Sequence, residues 1–193
     1  MRIILVRHAE TVRNRDKIFR HVDPSKALDI LTPKGRMQSI LLSKRLKAYN
    51  LTKIYSSDLK RALDTLYSIK KHQKAKPVIK SEFREIHSRA KDGKIVFSSK
   101  KDLARAIKAW KIIEKIKVDG DVLIVCHGNF IKFILSRILD ISLKQAYPFI
   151  IQNCSLTVLE KVDRKYKPFK ILLVNGTKHL PKKFASQGDP FIE

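Results

Sequence analysis

Two adjacent residues near the start of the chain, Arg7 and His8, have side chains suited to phosphate chemistry. They directly follow residues 3–6, an apolar run rich in β-branched side chains that predicts a short buried strand. An arginine binds a phosphate through its planar fork of donors, and a neighbouring histidine can accept a phosphoryl group as a nucleophile. Because such side chains are costly at the end of a buried strand, the pair indicates a functional site.

Two later segments repeat this arrangement of an apolar run followed by polar residues. Arg61 follows the predicted strand that ends at Ser56, and His127 follows the apolar run 122–126. Ligands of open α/β sheets collect at the carboxyl ends of the strands, so we expect these segments to converge on one phosphate pocket. Arg61 falls in the first turn of a predicted helix, where free backbone N–H groups favour an anion. Gly128 lets the backbone approach a ligand closely.

Cleavage of a phosphate ester also needs a proton donor, because the leaving alkoxide must be protonated. Glu85 is the candidate, since it follows the third predicted strand at the point where a lid begins. Glu10 and Glu82 remain alternatives, and composition does not choose among the three. The two arginines would offset charge on the phosphoryl oxygens, while one histidine must be neutral to attack phosphorus.

Alternating strands and helices predict a single α/β domain over residues 1–193. The predicted strands cover residues 2–7, 53–56, 77–80, 121–126, 155–160 and 169–174. The predicted helices cover residues 33–49, the segment after a Ser57-Asp58 cap, 102–117 and 130–139. Thr32 and Pro33 are the cap and first residue of the first helix, and Ile40 and Ile107 are assigned to the apolar sides of their helices. Residues 87–101 show little periodicity and are predicted to form a short irregular lid.

Length and charge limit the classes of function. With 193 residues, of which 44% are hydrophobic, the chain can bury one sizeable core. No apolar run approaches a membrane span or a signal-peptide core, so we predict a cytoplasmic protein with no membrane partner. The net charge of +24 favours anionic substrates, but the lysines are dispersed, so nucleic acid is not the expected primary partner. Cys126 and Cys154 have no metal-ligand spacing and are not expected to form a disulfide.

Four motifs in order along the chain resemble those of the histidine phosphatase superfamily, in its phosphoglycerate mutase-like branch. They are Arg7-His8-Ala9-Glu10-Thr11 with Asn14, Ser56-Ser57-Asp58-Leu59-Lys60-Arg61-Ala62 with Thr65, Arg84-Glu85-Ile86, and His127-Gly128-Asn129. Weaker matches are Asn153-Cys154-Ser155 and Asn175-Gly176-Thr177-Lys178-His179-Leu180. The resemblance covers almost the whole chain and implies a three-layer α/β/α fold with a mostly parallel central sheet.

The resemblance also implies a role for each matching position. His8 would be the nucleophile that becomes phosphohistidine, and Glu85 would protonate the leaving oxygen and then activate water. Four side chains would bind and polarise the phosphoryl group, namely Arg7, Asn14, Arg61 and His127. Neither a metal nor another cofactor is implied, because arginine and histidine supply the positive charge.

The segment after the proposed acid departs from the pattern of the family. Many members have Phe-Gly-x-Trp-Glu-Gly there, whereas this chain has His87-Ser88-Arg89-Ala90-Lys91-Asp92-Gly93. The lid is also short, which favours water as the acceptor and predicts a phosphatase of small phosphorylated molecules. Substrate selection is assigned to residues 87–101 and 14–20. Three alternatives stay open: a bisphosphate-dependent phosphoglycerate mutase, a phosphoprotein phosphatase for phosphohistidine or phosphotyrosine, and, ranked lowest, a basic nucleic-acid-binding module.

Overall fold

The computed structural model of the chain describes residues 1–16, 29–91, 94–97, 99–164, 166 and 168–185, with the backbone alone for those between 89 and 97. Eight strands are described: β1 Arg2–Arg7, β2 Leu51–Ser56, β3 Pro77–Ile79, β4 Ser88–Lys91, β5 Lys94–Phe97, β6 Asp121–Cys126, β7 Leu156–Lys161 and β8 Phe169–Gly176. The α-helices are α1 Val12–Arg15, α2 Pro33–Leu46, α3 Lys60–Lys70, α4 Lys100–Lys115 and α5 Gly128–Leu139. None of the helices in these ranges is long and apolar enough to cross a membrane.

Six of the strands form one sheet in the order β3-β2-β6-β1-β7-β8. The pairs β3-β2, β2-β6 and β6-β1 are parallel, and β7 runs antiparallel to both of its neighbours. Side chains of β1 alternate between two cores, because successive residues of a strand point to opposite faces. Ile3 and Leu5 pack with the core that contains α4 and α5, whereas Ile4 and Val6 pack with the core of α2 and α3. The predicted three-layer α/β/α fold is confirmed.

The register of the three central strands brings the polar segments to one edge. Arg7 lies opposite Cys126, and Ser56 lies opposite Val125. The pairing continues beyond the strands, since the His8 N–H donates to the Cys126 carbonyl at 3.0 Å and the Ser57 N–H donates to the Val125 carbonyl at 3.0 Å. The carboxyl ends of β1, β2 and β6 are therefore neighbours in space.

Two side chains assigned to apolar helix faces lie at the surface instead. Ile40 is 44% exposed and Ile107 is 45% exposed. In α2 the face toward the sheet includes the buried polar residue Gln38, whose Oε1 accepts a hydrogen bond from the Glu10 N–H at 2.9 Å. Because its hydrogen bond offsets the cost of burial, this polar side chain can lie on the buried face of α2. The prediction from apolar residues alone that Ile40 lies on that face is therefore wrong.

The segment predicted to be an irregular lid contains two short antiparallel strands. Ser88 of β4 pairs with Phe97 of β5, and Lys91 pairs with Lys94. The pairing satisfies the backbone groups of the segment locally, although β4 has no apolar alternation to announce a strand. Helix α4 begins at Lys100, so residues 100 and 101 of the predicted lid are helical.

Candidate active site

His8 lies immediately after β1 and is 3% exposed. Its Nδ1 is 2.8 Å from the Ala9 carbonyl oxygen, so Nδ1 carries the proton and donates it. Nε2 is then the unprotonated nitrogen, and it accepts a hydrogen bond from Nε of Arg61 at 3.2 Å. Burial lowers the pKa of His8 well below its ordinary value of 6.5, and the cations Arg61 and Arg7 lower it further. The imidazole is therefore neutral, with a lone pair on Nε2.

A turn before β7 donates hydrogen bonds to the backbone of Arg7 and His8. The Cys154 N–H donates to the Arg7 carbonyl at 3.0 Å, and Nδ2 of Asn153 donates to the His8 carbonyl at 2.9 Å. Cys154 has a φ of 56°, the left-handed conformation that costs a non-glycine residue about 1 kcal/mol. The contacts with the first motif hold this turn in place and fix the position of His8.

Asn14 is joined to the same turn. Its Oδ1 accepts from Nδ2 of Asn153 at 3.2 Å and from the Thr11 N–H at 3.2 Å, and the Thr11 side chain in turn caps α1. The amide oxygen of Asn14 is thus used for structure. Any contact with a phosphoryl oxygen would have to come from its amino group.

Arg61 projects from the first turn of α3 and its side chain is 11% exposed. Besides the bond from Nε to His8, Nη1 donates to Oδ2 of Asp29 at 2.6 Å. The Thr65 hydroxyl donates to the Arg61 carbonyl and accepts from the Ala9 N–H at 2.9 Å. The Thr65 side chain therefore connects α3 to the loop that carries His8.

His127 stands at the N-cap position of α5, with its ring centroid 5.2 Å from that of His8. Its Nε2 is 2.9 Å from the hydroxyl oxygen of Ser57, and that oxygen accepts a hydrogen bond from the Leu59 N–H. The opposite nitrogen, Nδ1, is buried with no hydrogen-bond partner among the described residues. Burial, followed by the charge of Arg61, lowers the pKa of His127 well below 6.5.

Arg7 completes the group of cations and imidazoles. Its Nη1 donates to the Ile151 carbonyl at 2.5 Å. A Cβ added at Gly128 would lie 3.6 Å from Nε of Arg7, so this guanidinium packs against the start of α5. The structure thus brings Arg7, His8, Arg61 and His127 together at the ends of β1, β2 and β6.

The three candidate acids occupy different surroundings. Oε1 of Glu85 accepts from the Ile86 N–H at 3.0 Å and from the Phe130 N–H at 3.1 Å, so its carboxylate lies at the first turn of α5. The carboxylate of Glu10 instead accepts from the Thr32 hydroxyl at 2.8 Å. Glu82 belongs to the short 3₁₀ turn Ser81–Phe83. Among the three, Glu85 is the carboxylate held beside the helix that His127 begins.

Sequence reasoning missed two side chains of this site. Asp29 joins Arg61 to Arg13, and no local motif announces this contact between segments 32 residues apart. The sequence predicts that Ser57 caps the helix, but the N-cap residue of α3 is Leu59 and the Ser57 hydroxyl contacts His127. Both cysteines are free and buried. Within the described ranges no group of three or more His, Cys, Asp or Glu side chains is arranged to hold a metal ion.

A family model matches most of the chain. The model of the histidine phosphatase superfamily, branch 1, aligns with residues 3–111 and 90–172. The chain belongs to this superfamily. The match confirms the predicted family and the prediction of a phosphoric monoester hydrolase.

Individual relatives of this histidine phosphatase are distant in sequence but cover nearly its full length. A broad-specificity phosphatase of Saccharomyces cerevisiae is 27% identical over 208 residues, which is 93% of this chain and 87% of the yeast protein. A crystal structure of a putative α-ribazole-5′-phosphate phosphatase from Escherichia coli has a TM-score of 0.75 at 16% identity, over 91% and 97% of the two chains. A phosphoserine phosphatase from Entamoeba histolytica, solved with 3-phosphoglyceric acid, has a TM-score of 0.72 at 22% identity, over 93% and 99%. The two structures support the fold.

Proposed function

We propose that this histidine phosphatase hydrolyses phosphomonoesters of small anionic molecules through a phosphohistidine intermediate on His8. The observation that carries the proposal is the state of the His8 ring. Nδ1 donates to the Ala9 carbonyl while Nε2 keeps its lone pair beside Arg61. A neutral imidazole next to two guanidinium groups is what nucleophilic attack on a phosphate dianion requires.

In the first half-reaction, Nε2 of His8 forms a bond to phosphorus while the bond between phosphorus and the ester oxygen breaks. Arg7 and Arg61 offset the charge that the phosphoryl oxygens carry in the transition state. The carboxylic acid of Glu85 gives its proton to the leaving oxygen, which departs as an alcohol. In the second half-reaction, the Glu85 carboxylate removes a proton from water as the oxygen of that water attacks phosphorus. The P–N bond breaks and inorganic phosphate is released.

His127 would supply a further donor to the phosphoryl group. The Ser57 hydroxyl accepts from the Leu59 N–H, which leaves its own proton available for Nε2 of His127 at 2.9 Å. In that tautomer the remaining ring proton is on Nδ1, the buried nitrogen with no partner among the described residues. A phosphoryl oxygen bound to Nδ1 would satisfy this buried donor.

The two strands β4 and β5 are suited to select substrates, because their base is joined to the site. Nδ2 of Asn129, in the first turn of α5, donates to the Ile86 carbonyl at 2.9 Å and to the Ser88 hydroxyl at 3.0 Å. His87 is joined to α4 through Asp102 at 2.9 Å. We propose that these strands cover the leaving group, and that the short cover admits water as acceptor. The yeast relative, a broad-specificity phosphatase, supports hydrolysis over mutase chemistry.

The direct test is hydrolysis of p-nitrophenyl phosphate by the wild type and by the His8→Ala variant. The variant should lose activity while keeping the far-UV circular dichroism of the fold. The matched control is His72→Ala, because His72 is exposed just beyond α3. A phosphoryl-enzyme that is stable to alkali and labile to acid should form in the wild type and in His72→Ala, but not in His8→Ala.

Two results would contradict the mechanism. Full activity of His8→Ala would exclude His8 as the nucleophile. Loss of activity in EDTA would show that a metal, and not the arginines, supplies the positive charge. Conversion of 3- to 2-phosphoglycerate that depends on a bisphosphate primer and exceeds hydrolysis would instead favour a mutase.

A further inference from the structure

One carboxylate near the site bridges two arginines that come from different elements. Oδ2 of Asp29 accepts from Nη1 of Arg61 at 2.6 Å, and Oδ1 accepts from Nε of Arg13 at 3.0 Å. Asp29 lies just before the segment that leads into α2, while Arg13 belongs to α1 and Arg61 to α3. The Arg61 side chain is 11% exposed and that of Asp29 is 33% exposed, so the pair is partly shielded from water.

The position of this carboxylate on the Arg61 guanidinium matters for phosphate binding. Nη1 is the terminal nitrogen on the same side as Cδ, so Nε and Nη2 share the opposite edge. Nε donates to Nε2 of His8, which shows that this edge faces the nucleophile. An arginine binds a phosphoryl group best with two parallel N–H donors from one edge. Asp29 therefore holds the guanidinium from the side and leaves its fork directed at His8.

Arg13 offsets the negative charge that Asp29 brings near the site. A lone carboxylate beside a site for phosphate dianions would repel the substrate, because like charges at close range in a shielded site are unfavourable. Arg13 lies on the other oxygen of Asp29 and offsets this charge. The bridge of Arg13, Asp29 and Arg61 thus fixes one guanidinium without adding net negative charge.

From this geometry we propose that Asp29 is a positioning residue for Arg61, and that Arg13 keeps the Asp29 carboxylate in place and compensates its charge. This inference rests on the proposed function of the site as a phosphatase. Asp29 does not touch the phosphoryl group; it acts through the orientation of Arg61. Its contribution should appear mainly in the transition state, when the charge on the phosphoryl oxygens is bound most tightly.

The test compares Asp29→Asn with the same change at Asp64, a carboxylate of α3 that pairs with a lysine and not with Arg61. Asp64 is also 33% exposed and pairs with Lys60 at 2.9 Å, but this pair is on the exposed surface of the helix. In Asp29→Asn we expect kcat and kcat/KM for p-nitrophenyl phosphate to fall together by about 10- to 100-fold, since a misplaced catalytic group costs on that order. Asp64→Asn should keep wild-type values, and Asp29→Glu should regain part of the loss because it restores the charge.

Inhibition by orthovanadate gives a readout that loss of fold would not mimic. Its inhibition constant should rise in Asp29→Asn by a factor similar to the loss of kcat/KM, because vanadate resembles the transition state. Arg13→Gln disrupts the same bridge more mildly. It should also raise the inhibition constant of orthovanadate and lower kcat/KM. The double variant of Asp29→Asn with Arg13→Gln should be no worse than Asp29→Asn alone, since both changes break one unit.

Three outcomes would overturn the inference. The first is an unchanged kcat in Asp29→Asn, and the second is a lower KM, which would mean that Asp29 competes with the substrate for Arg61. The third is the absence of any difference between Asp29→Asn and Asp64→Asn in orthovanadate binding by calorimetry. If the wild type hydrolyses no phosphate ester, the proposed function fails. In that case weaker vanadate binding by Asp29→Asn than by the wild type would still support the positioning role.

Discussion

The buried neutral histidines should make the stability of this protein fall as the pH decreases. Burial and neighbouring cations lower the pKa of His8 well below the value of 6.5 that it has in the unfolded chain. Between these two values the unfolded state binds a proton that the folded state does not, so the free energy of unfolding decreases as pH falls. From about pH 7.5 to about pH 5.5 this linkage removes about 1.4 kcal/mol of stability for each such histidine.

The assay measures this contribution as a difference between proteins. Urea unfolding of the wild type and of His8→Asn can be followed by the fluorescence of Trp110, the only tryptophan, which is 8% exposed in the core. Over that pH range the stability of wild type minus variant should shrink by about 1.4 kcal/mol, since groups that titrate alike in both proteins cancel in the difference. His127→Asn should give a similar change, because its pKa is also lowered by burial and by Arg61.

The control is His72→Asn, a change at an exposed residue outside the site, measured over the same pH range. A difference between wild type and His8→Asn that stays constant would refute the argument. It would mean that His8 takes up protons equally in the folded and unfolded chains, and then the ring would not be held neutral by its surroundings.

Other predictions follow from single contacts. Glu85→Gln should lower kcat by about 100- to 10,000-fold because the amide cannot donate the proton to the leaving oxygen, while Glu82→Gln should retain activity; equal losses would contradict the assignment of the acid. Gly35→Ala should destabilise the fold by about 1–3 kcal/mol in urea unfolding, because a Cβ there would overlap the carbonyl oxygen of Glu10. Burial raises the pKa of both cysteine thiols, so iodoacetamide should not modify the native protein, and rapid alkylation without denaturant would contradict that burial.

The parts of the structure that sequence predicts well are those with a local physical cause. Arg7-His8 and His127 could be placed at strand ends because the apolar runs before them are short and end abruptly. The start of α2 was also predictable, since the Thr32 side chain accepts from the Gly35 N–H at 2.9 Å with Pro33 in the first turn, as the cap pattern implies. Where the residues that determine a structural element lie in one short segment, the sequence is sufficient to predict that element.

The parts that escaped prediction depend on contacts between distant segments. Gln38 is buried on α2 and bonds the backbone of two distant residues, Glu10 and Phe184, whereas Ile40 of the same helix faces solvent. The bridge from Asp29 to Arg61 likewise exists only once α3 has packed beside the loop after β1. No hydrophobic periodicity or helix-cap pattern in the sequence marks the contacts of Asp29 and Gln38. These contacts could therefore not be predicted from the sequence.

Under the proposed mechanism, the arginines that would bind phosphate also set the basicity of His8. In the free protein, Arg61 and Arg7 hold the pKa of His8 low, which keeps the ring neutral but also makes Nε2 a weak base. A phosphate dianion bound to the same arginines offsets their charge, so the field that weakens Nε2 is reduced as the phosphorus atom arrives. The nucleophile would therefore gain basicity on substrate binding without any change of protonation. Asp29, by holding Arg61 beside Nε2, would keep that guanidinium where it can contact both the imidazole and a bound phosphate.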